Sequence, residues 1–278
     1  MSTKIQIEQI ERFRALHDRR QPLLLPNAWD AGSARVFADL GFAAIATTSG
    51  GLAWSLGYAD GERVPLPEVV AATRRIVRAT TLPVTADFEA GFGDTPDAVA
   101  ASVRAIIDAG VAGINLEDGV DHVALRDVAD AARRIAAARQ AAHEAAVPIV
   151  INARVDVWMR HATTNAADRF DDAVRRARAY LTAGADCIYP IGLADRDQIA
   201  ALVAAIDAPI NVGTWPGLPD VAELRRLGVA RVSTATRLAT LALSAARDAA
   251  RALRESGRYD GLDAPLGYAD MQRLFAQS

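Results

Sequence analysis

A chain of 278 residues, half of it hydrophobic, can bury a full core, and 31 lysines and arginines against 34 aspartates and glutamates offer no basic field for nucleic acid. The single cysteine, Cys187, excludes an internal disulfide and a cysteine-built zinc site. No apolar stretch approaches the length of a membrane span and residues 1–20 do not form a signal sequence, so a soluble, cytoplasmic protein without nucleic-acid or membrane partners is expected.

The first element is an N-terminal helix within residues 1–20, where Ile7, Ile10, Phe13 and Leu16 recur at helical spacing. A strand-then-helix alternation follows. Strand-like 23–26 precedes helix-like 31–40, and 43–47 precedes 66–80 after a long loop. The run 84–87 leads to 95–109, 112–116 to a helix within 125–146, and 149–153 to 166–183. The last three units pair 186–189 with 196–206, 209–212 with 220–227, and 229–233 with 235–255. No pair of strands carries a tight hairpin signal of the Asn-Gly or Asp-Gly kind. Gly41, Gly110, Gly184 and Gly228 fall where a helix hands over to a strand, a position that favours a left-handed backbone.

Eight such units predict a single α/β domain over 1–278, a (β/α)8 TIM barrel with an N-terminal helix and a C-terminal helical segment over 235–278. A doubly wound open sheet uses the same alternation. It calls for a glycine-rich phosphate turn after the first strand, where this chain has Pro26-Asn27-Ala28-Trp29-Asp30.

Barrel chemistry lies at the carboxyl ends of the strands. The polar residues there are Asn27, Trp29 and Asp30, then Thr47, Thr48, Ser49, Gly50 and Gly51, then Asp87 and Glu89, then Glu117 and Asp118. Asn152, Arg154 and Asp156 follow the fifth strand, and Asn211 ends the seventh. An acidic cluster unbalanced by lysine favours a hard divalent cation, Mg²⁺ or Mn²⁺, held partly through water. Ser49 with the Gly50 and Gly51 amides could grip a carboxylate, and Arg154 could pair with it or with a developing enolate.

Plainer uses compete at each position. Asp87 or Glu89 could cap the next helix or pair with Arg154, Ser49-Gly50-Gly51 could be ordinary loop chemistry, and Trp29 could be packing. Cys187, inside a predicted strand, reads as a buried, inert thiol. Of the four histidines, His122 alone lies near the rim as an acid-base candidate.

Taken together, Leu-Pro-Asn-Ala-Trp-Asp (25–30), Thr-Ser-Gly-Gly (48–51), Leu-Gly-Tyr-Ala-Asp-Gly (56–61), Ala-Asp-Phe-Glu-Ala-Gly-Phe-Gly (86–93), Leu-Glu-Asp (116–118) and Asn-Ala-Arg-Val-Asp (152–156) resemble the isocitrate lyase and phosphoenolpyruvate mutase superfamily over residues 20–245. The resemblance implies a Mg²⁺-dependent barrel acting beside a 2-oxo acid through an enolate-like state. Asp87 would be the direct metal ligand, with Asp60, Glu89 and Glu117 reaching the ion mainly through water. Ser49, Gly50 and Arg154 would bind the carboxylate and oxo group, and Trp29 would wall the pocket. The family's exchange of terminal helices implies a homodimer or homotetramer.

One departure bears on the reaction. Lyases of this kind carry a cysteine-bearing gate after the fourth strand, and mutases a lysine and an Asn-Ser pair. Here Gly119-Val120-Asp121-His122-Val123-Ala124-Leu125-Arg126 has none of these, and Lys4 is the only lysine of the chain. The expected function is a Mg²⁺-dependent lyase or decarboxylase of a small 2-oxo or 2-hydroxy carboxylic acid, with Arg154, Glu117 and His122 as catalytic candidates. A 2-oxo acid binding protein and a phosphonopyruvate enzyme are the alternatives.

Overall fold

The computed structural model describes residues 3–121, 123–160 and 165–276. Its main strands are β1 (Leu23–Leu25, resuming as Asn27–Ala28), β2 (Ile45–Thr47), β3 (Val84–Asp87), β4 (Gly113–Glu117), β5 (Val150–Val155), β6 (Cys187–Pro190), β7 (Asn211–Gly213) and β8 (Arg231–Ser233). All of their pairings are parallel, with β2 to β6 side by side in chain order. Pro26 interrupts β1 because it has no N–H for the ladder. The first piece of β1 pairs with β8, and the second pairs with β2. Ile188 N–H donates to the Pro209 carbonyl at 3.0 Å and a bridge joins Ile188 to Ile210, so β6 meets β7, which pairs with β8. Each strand therefore has two hydrogen-bonded neighbours. The sheet closes on itself, which an open doubly wound sheet does not.

The helices are α1 (Thr3–Ala15), α2 (Ala31–Asp39), α3 (Ser49–Ser55), α4 (Leu66–Arg78), α5 (Pro96–Ile107), α6 (Val128–Glu144), α7 (Val157–Arg160), α8 (Ala166–Thr182), α9 (Arg196–Ala205), α10 (Val221–Arg226), α11 (Arg237–Ser256) and α12 (Tyr268–Ala276). Most begin on a side-chain cap: Asp30, Thr95, Asp127, Asn165, Asp195 and Asp220 each accept an amide of the first turn, worth about 1 kcal/mol apiece. Gly41, Gly110, Gly184 and Gly228 all have positive φ after their helices, as the sequence pattern requires.

Period-two alternation sends Thr85, Asp87, Gly113, Asn115, Glu117, Asn152, Arg154, Cys187, Tyr189, Asn211, Arg231 and Ser233 to one side of the strands and the aliphatic residues to the other. Ile10 and Phe13 of α1 are fully buried and close the floor. A Cβ on Gly113 would stand 3.1 Å from the Phe13 ring and 2.7 Å from the Val150 carbonyl, so glycine is what lets α1 seat there. The Phe13 ring lies 5.8 Å from the guanidinium of Arg231. Cys187 is buried and its thiol is pushed up to about 12 by burial, in keeping with an inert packing role.

Two features differ from the sequence reading. Ser49–Ser55, expected as the start of a long loop, is helical, because Thr48 caps it and close packing uses its glycines. Gly119–Val120 and Ala124–Leu125 form a small antiparallel ladder although no hairpin dipeptide marks it. The C-terminal helix α11 stands off the barrel surface: only Ala239 of its 20 residues is buried, while Leu241, Leu243 and Leu253 are exposed. Among the described residues no helix is long and apolar enough to cross a membrane.

Candidate active site

At the mouth of the barrel β3 and β4 deliver their acids side by side. Asp87 ends β3, and Glu117 N–H donates to the Glu89 carbonyl at 2.9 Å, so the two strand ends are locked in register. Asp87 is held by three hydrogen bonds: its Oδ2 accepts the Ser49 N–H (3.2 Å), its Oδ1 accepts the Asn115 side-chain amide (3.3 Å), and its own N–H donates to Thr47 Oγ1 (2.9 Å). Glu89 accepts the Glu62 N–H at 2.7 Å. Asp60 approaches from the loop after α3, with Oδ2 3.1 Å from where a Gly50 Cβ would stand.

These carboxylates repel one another. Burial, then Asp60 and Asp87, push Glu89 up to about 8. Burial also raises Glu117 well above the carboxylate range; Asp156, Asp87 and Glu89 add to the rise, and Arg154 opposes it. Asp60 Oδ1 is buried without a hydrogen-bond partner. A hard cation would relieve all of these at once, so the donor set fits Mg²⁺ or Mn²⁺. Among the described residues no three acidic, histidine or cysteine side chains converge closely enough to chelate an ion directly. The fit is therefore to a hydrated ion with few direct protein ligands.

Arg154 is already engaged. It donates Nε to Asp156 Oδ1 (2.7 Å) and Nη2 to Asp156 Oδ2 (2.8 Å), and it is ion-paired with Glu117. The bidentate grip fixes the guanidinium plane, and with Glu117 also on Nη2 it leaves Nη1 for a ligand. Asp118, which the sequence grouped with the rim acids, turns away from the mouth. It accepts Tyr180 Oη (2.6 Å), Arg176 Nη1 (3.0 Å) and the Asp156 N–H (2.9 Å) in a buried network behind Arg154.

The Ser49-Gly50-Gly51 turn is narrower than expected as an anion grip. Ser49 gives its amide to Asp87, and Gly51 gives its own to Thr48 Oγ1 at 3.4 Å. Only the Gly50 amide is left. Gly51 is a packing glycine instead, since a Cβ there would stand 2.7 Å from Thr48 Cγ2 and 2.8 Å from Trp29 Cβ. Trp29 packs edge-on against Phe37, ring centroids 6.2 Å apart. Asn211 is buried inside the barrel, accepting from Ser233 Oγ (3.3 Å) with its amide nitrogen unpartnered. His122 lies outside the described residues.

A cavity of about 360 Å³ opens beside the acids, lined by Glu62, Glu89, Glu117, Asp121 and Arg126 among others. Non-glycine residues with positive φ concentrate around it and the rim: Glu62, Glu89, Phe92, Asp121 and Ala235. Such conformations each cost on the order of 1–3 kcal/mol and collect at functional sites. Tyr189, two residues after Cys187 on the same inward face, carries no functional signal in the sequence, because a tyrosine in an apolar strand reads as core; Trp215, just beyond β7, carries none either. The Tyr189 hydroxyl and Trp215 Nε1 are both buried without partners.

A family model described as phosphoenolpyruvate phosphomutase matches residues 13–254. A Mycobacterium tuberculosis H37Rv protein of uncharacterised function is 38% identical, covering 94% of both chains. Oxaloacetate decarboxylase of Chromohalobacter salexigens is 32% identical, over 92% of this chain and 88% of its own. A crystal structure of a candidate phosphonomutase from Burkholderia cenocepacia J2315 superposes with TM-score 0.84 at 45% identity, covering 88% of this chain and 99% of the other.

Proposed function

Because the chain belongs to the phosphoenolpyruvate mutase and isocitrate lyase superfamily, whose members are Mg²⁺-dependent lyases and mutases of small carboxylates, we propose that it is a Mg²⁺-dependent lyase or decarboxylase of a small 2-oxo acid. The carrying observation is the crowd of Asp60, Asp87, Glu89 and Glu117 at one strand-end rim, with a buried Asp60 oxygen left unpartnered beside them.

The reading assigns Asp87 to the ion directly, and Asp60, Glu89 and Glu117 to its water ligands. The ion would polarise the 2-oxo group and stabilise an enolate oxygen, worth several kcal/mol. The residues do the rest. Arg154, its plane fixed by Asp156, offers Nη1 to the substrate carboxylate, and the Gly50 amide adds one donor. With the gate short and free of cysteine and lysine, the bond broken is one whose electron pair the adjacent oxo group accepts, as in decarboxylation of a 2-oxo-3-carboxy acid.

Purified protein with Mg²⁺ is expected to release CO₂ and pyruvate from oxaloacetate faster than Mg²⁺ alone, and EDTA is expected to abolish the excess. Turnover of no member of a panel of 2-oxo and 2-hydroxy acids, with binding retained, would favour a sensor instead. The family model and the 45% identical Burkholderia protein support a second reading, a phosphonopyruvate enzyme. Phosphate or phosphoenolpyruvate formed from phosphonopyruvate would select it.

The exposed leucines of α11, together with Tyr259, Leu262, Leu266 and Tyr268, support assembly as a homodimer or homotetramer through the C-terminal segment. Sedimentation equilibrium is expected to return at least twice the chain mass; a monomer at micromolar concentration removes this part of the reading.

A further inference from the structure

We propose that the Tyr189 hydroxyl is the acid that protonates the carbon left by bond cleavage, the role for which neither a gate cysteine nor a lysine is present. This rests on the 2-oxo acid reading given above.

Tyr189 lies on β6 with its ring in the barrel and is nearly fully buried. Its hydroxyl has no hydrogen-bond partner among the described residues. Buried tyrosine hydroxyls usually find one, because leaving a hydroxyl unpaired costs on the order of 1–3 kcal/mol. Ser233 is its polar neighbour: the Ser233 side chain lowers the proton affinity of the phenol, while its own hydroxyl proton goes to Asn211 Oδ1.

The oxygen occupies a gap that the backbone leaves open. A Cβ on Gly213 would stand 2.7 Å from Tyr189 Oη and 2.9 Å from Trp215 Nε1. Two unpartnered buried donors thus converge on one point, packed against the glycine at the carboxyl end of β7. The charged groups whose fields reach this hydroxyl are Arg154, Asp87 and Arg231. Tyr189 is the register partner of Arg154 on the neighbouring strand, so its ring stands on the same inward face as the arginine proposed to hold the substrate. Burial pushes it up to about 12. At neutral pH it is therefore protonated, the state an acid needs.

The step balances without a further reagent. The C3–carboxylate bond breaks, its electron pair enters the enolate, and CO₂ departs. The phenol O–H bond then breaks, its proton forms the new C–H bond at C3, and the enolate collapses to the 2-oxo acid. Tyr189 is left as a phenolate facing Arg154 and Arg231, with the Trp215 N–H beside it, and regains its proton from solvent. In reverse, the phenolate removes a methyl proton from pyruvate.

The test uses the full-length protein with Mg²⁺ and Tyr189→Phe. The variant deletes one unpartnered oxygen, so its melting temperature is expected within about 2 °C of wild type, and its affinity for oxalate, a planar enolate mimic, within threefold. Oxaloacetate turnover and deuterium exchange into the pyruvate methyl group, followed by proton NMR in D₂O, are both expected to fall by at least about a hundredfold, the range of a lost general acid. Wild-type exchange and turnover retained in Tyr189→Phe overturn the proposal. Wild-type protein that neither exchanges pyruvate nor cleaves oxaloacetate overturns the 2-oxo acid reading itself. Parallel loss of oxalate binding and activity assigns Tyr189 to binding and also overturns the acid role.

Discussion

Asp87→Asn is expected to lower Mg²⁺-dependent turnover by about a thousandfold or more while leaving the fold intact. Loss of the direct ligand removes the several kcal/mol a bound cation contributes at an enolate oxygen, and 4 kcal/mol is about three powers of ten. A structural role would act oppositely on stability. Asp87 accepts two hydrogen bonds, from Ser49 and Asn115, and asparagine keeps an oxygen for one of them. The substitution also removes one negative charge from a group already strained by mutual repulsion, as the raised Glu89 and Glu117 show. In EDTA the variant should therefore melt at or above the wild-type temperature. Mn²⁺ titration followed by electron paramagnetic resonance should show the affinity gone. Retained Mn²⁺ affinity, or a melting temperature several degrees lower in EDTA, would make Asp87 a scaffold residue.

The barrel was legible because its signals are local. Apolar runs of four to six residues, capped helices and the glycines at 41, 110, 184 and 228 each act within a few residues of themselves. The convergence of Asp87, Glu89 and Glu117 was legible too, since strand ends in a closed barrel share one rim. What side chains do once they arrive was not. Asp118 follows Glu117 in sequence, yet alternation sends it outward to Arg176 and Tyr180, partners 58 and 62 residues away. Glycines 50 and 51 look alike in sequence. Only packing against Trp29 and Ala239 makes Gly51 a spacing residue. Tyr189 carries its information in a missing partner, which no sequence displays.

Asp118→Ala is expected to destabilise the protein by about 3–5 kcal/mol, the usual cost of removing one member of a buried charged pair. The arithmetic turns on what is left behind. Asp118 is 1% exposed and takes hydrogen bonds from Tyr180, Arg176 and the Asp156 amide. Burial and Asp156 raise its proton affinity, while Tyr180 and Arg176 lower it. Truncation leaves the Arg176 guanidinium facing Asp172 alone, and leaves Tyr180 with only an arginine beside it. It also loosens the base of the short ladder over the cavity, since Arg176 donates to the Arg126 carbonyl at 2.9 Å and the Arg126 N–H to the Asp118 carbonyl at 2.8 Å. Urea unfolding should show the loss, equivalent to about 10 °C in melting temperature for a chain of this size, and Mn²⁺ affinity should hold within a few-fold because no metal-facing carboxylate has moved. The companion variant Asp118→Leu with Arg176→Met removes both charges, so it should recover more than half of the stability. A single substitution costing under 1 kcal/mol, or a double variant worse than the single, would mean that solvent reaches this network and that its charges do not depend on one another.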